Sequence, residues 1–530
     1  MRCALVCLLF AVTAWPDEVY RLEPYPQKIR TFHSLEDPAA PKAPQAHRVV
    51  PLPRRCPIPT PRLVHSTGDG AVWVAGGHAV ARHTELEGWE YFAGRRYLPD
   101  GEVRDLVVES PRRVWIRTDA AWSRLEFRPM RLEEKAAVFQ DRVETRHNRY
   151  GLVADSELLT PGDLATSRSV PNDNDGLWTS IYAAADSFRY AVTRSPEARA
   201  RARRSIEVLM RLEQITGQPG FPARSFIRMG DYRPPGGLWR ETPDGAYEWK
   251  ADTSSDEIVG HFFAYTIYYD LVALNDERPA IRTVVGRIMS RILADGYHLI
   301  DRLTGKPTTW GEWSPEFFAA PRGREEVALN SAEILSHLLA AHHITGQGRF
   351  LQAYRTLIDN HGYARNTARY LELRTQLNYS DEELAMLSFY PLFLYERDPA
   401  LRQLYRQGLA QWWENCRLEK NPLWSFIRRF ATGSQDDTSD AVWSLYRYPM
   451  DLIKWSVRNS DRADASMRQE PDRFRRPQLR ELLWPDERPI QRWNANVFAP
   501  DGGNGGRSED DGAAFLLPYW MGRYHRFIED

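Results

Sequence analysis

The stretch GLWTSIYAAADSFRYAV, residues 176–192, followed at once by PEARARARRSIEVLMRLEQI, residues 196–215, decides how this chain is read. The first segment is apolar on nearly every side and carries Trp178, Ile181, Tyr182, Phe188 and Tyr190. In the second, Ser195 is a good N-cap and Pro196 takes the first helical position. Its Arg199, Arg201, Arg203 and Arg204 fall on one face, and Ile206, Leu209 and Leu212 on the other. A helix that is apolar all round is buried, and an amphipathic one lies outside it. The pair therefore reads as one inner and one outer helix. The alternation recurs at 258–273 and 278–299, at 331–344 and 349–361, and at 382–395 and 399–417. A charged amphipathic helix is expected at 132–148, with shorter ones at 439–446, 450–457 and 516–528.

About a dozen helices in inner–outer pairs, joined by long loops, close most naturally into a ring of helical hairpins. The layout of residues 130–530 resembles the six-hairpin glycosidase architecture, the (α/α)6 toroid of many hydrolases, lyases and epimerases acting on sugars. A helical solenoid and two stacked bundles are the alternatives, and the unequal hairpin lengths favour the toroid. The expected fold class is mainly α, a toroid preceded by a small β region.

That β region occupies residues 66–129. Ala71-Val72-Trp73-Val74-Ala75 is echoed by Arg113-Val114-Trp115-Ile116-Arg117, with further short strands between them. Repeats of roughly 40–50 residues built of short strands have the spacing of propeller blades. The wording is similar to the regulator-propeller repeats of bacterial sensor proteins, here for barely two blades. Residues 15–65, rich in Pro, Arg and His, read as an extended arm or linker.

Composition narrows the function classes. With 530 residues, 42% hydrophobic and 27% charged, the chain is folded and large enough for more than one domain. Seventy Lys plus Arg against 71 Asp plus Glu leaves no basic excess, which argues against a nucleic-acid partner. No membrane span is expected, because no apolar run reaches the roughly 18 residues that one requires. Arg2, the apolar run from Ala4 to Ala14, and Val12 with Ala14 before Trp15 read as a secretory signal over 1–14. A secreted or periplasmic protein is expected, in which Cys56 and Cys416 remain and their pairing is open.

The loops ahead of the inner helices are long, polar and aromatic, a combination more often functional than not. Their carboxylates, amides and indole rings point to carbohydrate: aromatic rings cover the C–H faces of a sugar, and Asp, Asn and Arg bond its hydroxyls. Glycoside hydrolysis needs two carboxyl groups, one protonated and one ionised. Asp252 precedes its helix without a capping role, and Glu312 sits between Trp310 and Trp313, so these two lead as the catalytic pair. Asp173 is the alternative partner, with Asp256 and Asp175 as further candidates at helix starts, where the macrodipole already favours an acid. Ser254 with Glu257, and Ser380 with Glu383, have capping-box spacing, which by itself accounts for both glutamates. Glu257 is kept as a binding candidate. Sugar platforms are expected at Trp178, Trp249, Trp310, Trp313 and Trp493, and polar contacts at Arg224, His261 and Asn494. The run 509–511 reads as a solvated turn.

A lyase or epimerase on uronic-acid sugars is the competing enzyme, with Arg224 on the substrate carboxylate and His261 or Tyr265 taking the α-proton. A non-catalytic exported glycan binder or sensor is the reading from another class. No metal or cofactor is expected: the histidines lack ligand spacing, and the glycine-rich 501–506 stretch fits no EF-hand.

Overall fold

A computed structural model describes residues 19–42, 50–374 and 376–530. The signal read at 1–14 lies outside the described residues. Two four-stranded antiparallel sheets come first. One is a meander of β2 (Leu63–Ser66), β3 (Val72–Gly76), β4 (Ala79–Thr84) and β5 (Gly88–Ala93). The other is β6 (Val103–Ser110), β7 (Arg113–Thr118) and β8 (Trp122–Met130), completed at its edge by β1 (Tyr25–His33). Alternate residues of a strand face opposite sides. Trp73, Val80 and Phe92 of the first sheet therefore meet Leu106, Val114, Ile116 and Leu125 of the second in one core. Trp115, the echo of Trp73, leaves the far face of its sheet and packs on Ala40 and Trp122. No third sheet stacks there among the described residues.

The segment read as an extended arm is thus in part a strand. All nine residues of β1 pair with β8, and Tyr25 stacks on Tyr446 of the helical body at 4.9 Å. Pro26, Lys28 and Arg30 hid this strand in the sequence, and the two cations are neutralised in the fold by Glu90 at 2.8 Å and Asp451 at 3.1 Å. At the seam between sheets and helices, Arg447 is wholly buried against Glu87, Asp486 and Glu487 at 2.9–3.2 Å.

From residue 132 the body is helical. Its main helices are α1 (Leu132–Arg142), α2 (Asp175–Thr193), α3 (Pro196–Gln214), α4 (Ser255–Leu271), α5 (Arg278–Ala294) and α6 (Val327–Thr345). They continue as α7 (Gly348–His361), α8 (Tyr379–Tyr395), α9 (Pro399–Cys416), α10 (Pro422–Thr432), α11 (Thr438–Tyr446) and α12 (Ala513–Tyr524). Helix α2 is buried from Asp175 to Phe188, and α4, α6 and α8 are buried along nearly their whole length. Helices α3, α7 and α9 bury one face only. The buried helices pack in a circuit: α2 on α4, α4 on α6, α6 on α8, α8 on α10, α10 on α12, and α12 back on α2.

Two sequence expectations change, and one open point closes. Residues 450–457 form no helix; their polar backbone is bridged instead to the 501–509 stretch, as by Lys454 N–H on Ser508 O at 2.8 Å. Helix α10 was not expected, because its 11 residues are short and open with proline. Asn421 caps it, its side chain accepting from Leu423 N–H at 2.9 Å, and Leu423, Trp424, Phe426 and Ile427 are buried. Cys56 and Cys416 are both free thiols: Cys56 packs on the outer face of the first sheet and Cys416 at the buried end of α9. No described helix is long and apolar enough to cross a membrane.

Candidate active site at the helix N-termini

Several buried helices open on acids at the same mouth of the circuit. Asp175 stands at α2, Asp256 and Glu257 at α4, Glu383 at α8, and Asp510 with Asp511 just ahead of α12. Glu333 lies in the second turn of α6. Free backbone N–H groups and the macrodipole favour negative charge there, whereas complete burial disfavours it. For the glutamates, burial wins.

Glu257 is wholly buried, and neither carboxyl oxygen has a side-chain donor. Burial drives its carboxyl well above the usual range, Arg224 pulls against it, and Asp256 and Asp175 add to the rise. The expected capping box is absent. The Ser254 hydroxyl makes no cap bond, and the Glu257 side chain instead lies against Gly176, where a Cβ would meet Oε2 at 1.8 Å. A side chain at 176 would displace this carboxyl. The Ser380–Glu383 box is missing too: Asn378 holds the N-cap position, and both Glu383 oxygens are buried without a partner. Burial and the nearby Asp256 push Glu383 up to about 8, against Arg492. Glu333 also reaches about 8 by burial, although one of its oxygens accepts from Trp313 Nε1 at 2.7 Å. The Asp256 carboxylate, half-buried and 3.3 Å from Asn174 Nδ2, is thus the one charge felt by Glu257, Glu333 and Glu383 alike.

Two buried histidines flank this group. His261 donates from Nδ1 to the Glu257 carbonyl at 2.6 Å, and the Leu209 carbonyl of α3 also lies within hydrogen-bonding reach of the ring. Burial lowers it to about 4, so it is neutral. His337 stacks on Phe262 at 4.7 Å and is lowered to about 3. Tyr265 meets the His261 ring edge-on at 5.7 Å, and its buried hydroxyl has no partner.

The loop between α11 and α12 covers the mouth. Arg492 bonds Asp155 at 2.7 Å and Asp511 at 2.9 Å and lies 4.0 Å over the Trp178 ring. Trp493 packs on Trp424 at 5.3 Å, and a void of about 10 Å³ remains between Trp178, Arg492, Trp493, Asp510 and Asp511. Asp510 is raised to about 6 by burial first and by Asp155 and Asp511 next. The 509–511 run is therefore no solvated turn: Glu509, Asp510 and Asp511 are exposed by only 1–4%. A larger cavity, about 220 Å³, lies at the seam with the sheets and includes Lys28, Arg30, Asp451 and Asp486. Its charges are paired with one another, so it has the character of a structural joint.

The expected leading residues lie elsewhere or are engaged. Asp252, at a left-handed φ of 59°, accepts from the Thr309 N–H and hydroxyl, each at 2.9 Å. Glu312 is buried and bound to Arg322 at 2.5 Å. Asp173 is exposed and pairs with Lys250. Asp175 is buried on Arg149 at 2.8 Å and accepts from Asn172 N–H at 3.0 Å; burial raises its carboxyl. Arg224 is spent on joining loops, donating to Asp173 O, Asp252 O and Asn174 Oδ1 at 2.5–3.1 Å. Trp249 and Trp313 are core side chains, Trp178 is covered by Arg492, Trp310 is 62% exposed, and Asn494 is exposed in the covering loop. Glu333, Glu383, Arg492 and Asp510 are not among the site candidates drawn from sequence: Glu383 is set aside there as a capping box and Asp510 as part of a solvated turn. Acids at the starts of apolar segments were the available signal, and capping accounted for them too readily.

No protein-family model matches the chain, and no curated protein matches it. Among solved structures, a sugar epimerase from a ruminal bacterium superposes with a TM-score of 0.35 and 10% identity, over 73% of this chain and 98% of that one. A likeness this slight assigns neither fold nor activity.

Proposed function

We propose that the chain is an exported carbohydrate-active enzyme whose helix circuit is an (α/α)6 toroid and whose chemistry lies at its carboxyl-lined mouth. The observation that carries this reading is the pairing of one half-buried carboxylate, Asp256, with buried carboxyls held protonated around it. Environments that push neighbouring acids apart in pKa are what acid/base catalysis requires. In glycoside hydrolysis, Asp256 serves as base or nucleophile. Glu383 serves as the acid: Glu333 is bonded to Trp313, Glu257 is pressed against Gly176, and Glu383 feels the charges of both Asp256 and Arg492 and keeps its oxygens free. The Arg492–Trp493 loop lifts to admit a sugar, and Trp178 and Trp493 then become its platforms.

The second reading, an epimerase or lyase, rests on His261. A neutral imidazole beside a protonated carboxyl is equipped to take an α-proton. Incubation with neutral and uronic-acid glycans, read by mass spectrometry, separates the two. A gain of one water across a cleaved bond is expected for the hydrolase. An unsaturated product, or an isomer whose mass is unchanged in ordinary water and rises by one deuterium in heavy water, replaces it with the His261 chemistry. Glycan binding without any product removes the enzyme reading.

A further inference from the structure

Away from the mouth's reactive group, the last residue of α9, Cys416, meets Glu382 from the first turn of α8 and Glu419 from the turn that follows α9 (Arg417–Glu419). All three are buried, at 0%, 1% and 3% exposure, and one ligand atom from each lies within 4.8 Å of the others. The group is close-set. Glu419 Oε2 accepts from Trp424 Nε1 at 3.2 Å, and the Glu382 carboxyl meets both the Glu419 carboxyl and the Cys416 thiol. A fourth side chain stands beside it: Tyr379, three residues before Glu382 on α8, has a hydroxyl that is buried and unpartnered. The charges it feels most strongly are those of Glu419 and Glu382. A buried hydroxyl left without a partner in a folded protein calls for an explanation, a bound ion among them.

We propose that Glu382, Cys416 and Glu419 hold a zinc ion that ties α8 to the end of α9 and the start of α10. A thiolate with two carboxylate oxygens is a donor set that zinc accepts, and three protein ligands leave a fourth position for water. Tetrahedral bonds of ordinary length place ligand atoms roughly 3.3–3.8 Å apart, so closure by about 1 Å brings the group onto an ion. The charges also agree. Three anionic ligands and a dication leave a net single negative charge, and Arg374 and Arg488 stand within electrostatic reach of Glu382 and Glu419 to offset it. The Trp424 indole plays the part of an outer partner that fixes a ligating carboxylate. Binding releases the protons that the thiol and carboxyls carry without metal, so uptake strengthens as pH rises. The competing arrangement is a carboxyl pair sharing a proton beside an inert thiol.

The test uses the full chain, stripped with chelator, loaded with zinc and freed of excess by gel filtration. One equivalent of zinc per chain is expected. Cobalt(II) in its place is expected to give a thiolate-to-cobalt charge-transfer band that Cys416→Ser abolishes and Cys56→Ser retains. Because a buried-cysteine variant can fail to fold, Glu419→Gln is measured alongside and is expected to weaken zinc binding by roughly tenfold or more. Zinc well below one equivalent overturns the site and leaves the shared proton. So does a full equivalent that neither variant weakens, since the ion then sits elsewhere. None of these readouts depends on turnover, so they stand or fall separately from the carbohydrate reading.

Discussion

The loop carboxylates and the helix-end carboxyls of this molecule differ in one respect that decides their chemistry. Asp252, Asp173 and Glu312 sit on loops and hairpins and each has a partner: Thr309, Lys250 and Arg322. Glu257 and Glu383 stand in the first turns of buried helices and have no side-chain partner at all. The bond from Lys250 holds the Asp173 carboxyl below the usual range, whereas burial pushes Glu257 and Glu383 above it, and a buried carboxyl that keeps its proton can deliver it. Polarity and a loop setting, which draw attention in a sequence, thus mark the acids that stabilise structure. Isolation inside an apolar helix marks the acids with a proton to give.

The sharpest test of that contrast is Glu383→Gln, which removes the proton donor but keeps the shape. A loss of roughly 10²–10⁴ in kcat is expected, together with the alkaline limb of the pH–rate profile near the value of about 8 at which the wild-type group ionises. An unchanged limb would assign the proton to another group. Removal of the covering cation comes next. Arg492→Ala leaves Asp155 and Asp511 without their shared partner, and a loss of about 3–5 kcal/mol is expected from denaturant unfolding.

Glu333 bears on stability against pH. Its folded pKa of about 8 exceeds its ordinary 4.5, so the folded chain holds a proton that the unfolded chain releases. The stability it lends is complete below about 4.5 and is lost progressively as pH rises to about 8, on the order of 4–5 kcal/mol in all. Glu333→Gln is expected to flatten that decline in chemical unfolding measured from pH 5 to 8. An equally steep decline in the variant would show that Glu333 is ionised in the fold. The smallest effect belongs to Asp252→Ala, which forfeits two hydrogen bonds to Thr309 and keeps the left-handed backbone. A cost of about 1–3 kcal/mol in stability is expected, with kcat within a few-fold of wild type.

Much of the helical body was legible because the alternation of all-apolar and one-faced helices is a strong periodic signal. Residues 176–192 and 196–215 became α2 and α3 with shifts of one residue at most ends. Helix α10 escaped because 11 residues opening with Pro422 leave too little period to read. Strand β1 escaped because its charges are paired only across the fold, with Glu90 and Asp451. At the site, Asp256 and Glu257 were legible as acids at a helix start. Their roles were not, because Ser254-x-x-Glu257 has the spacing of a capping box, and only the close approach to Gly176 shows where the carboxyl goes. Glu383 was discounted for the same reason. Local spacing fixes what a side chain is able to bond; the surrounding helices decide whether it does.

The most direct measurement compares Asp256→Asn with Asp252→Asn on whichever glycan the wild-type chain cleaves, counting the product that has gained one water. The account predicts that this product falls by roughly 10²–10⁴ in Asp256→Asn and forms at close to the wild-type rate in Asp252→Asn. Cleavage that persists in Asp256→Asn and disappears in Asp252→Asn would contradict it and return the chemistry to the loops.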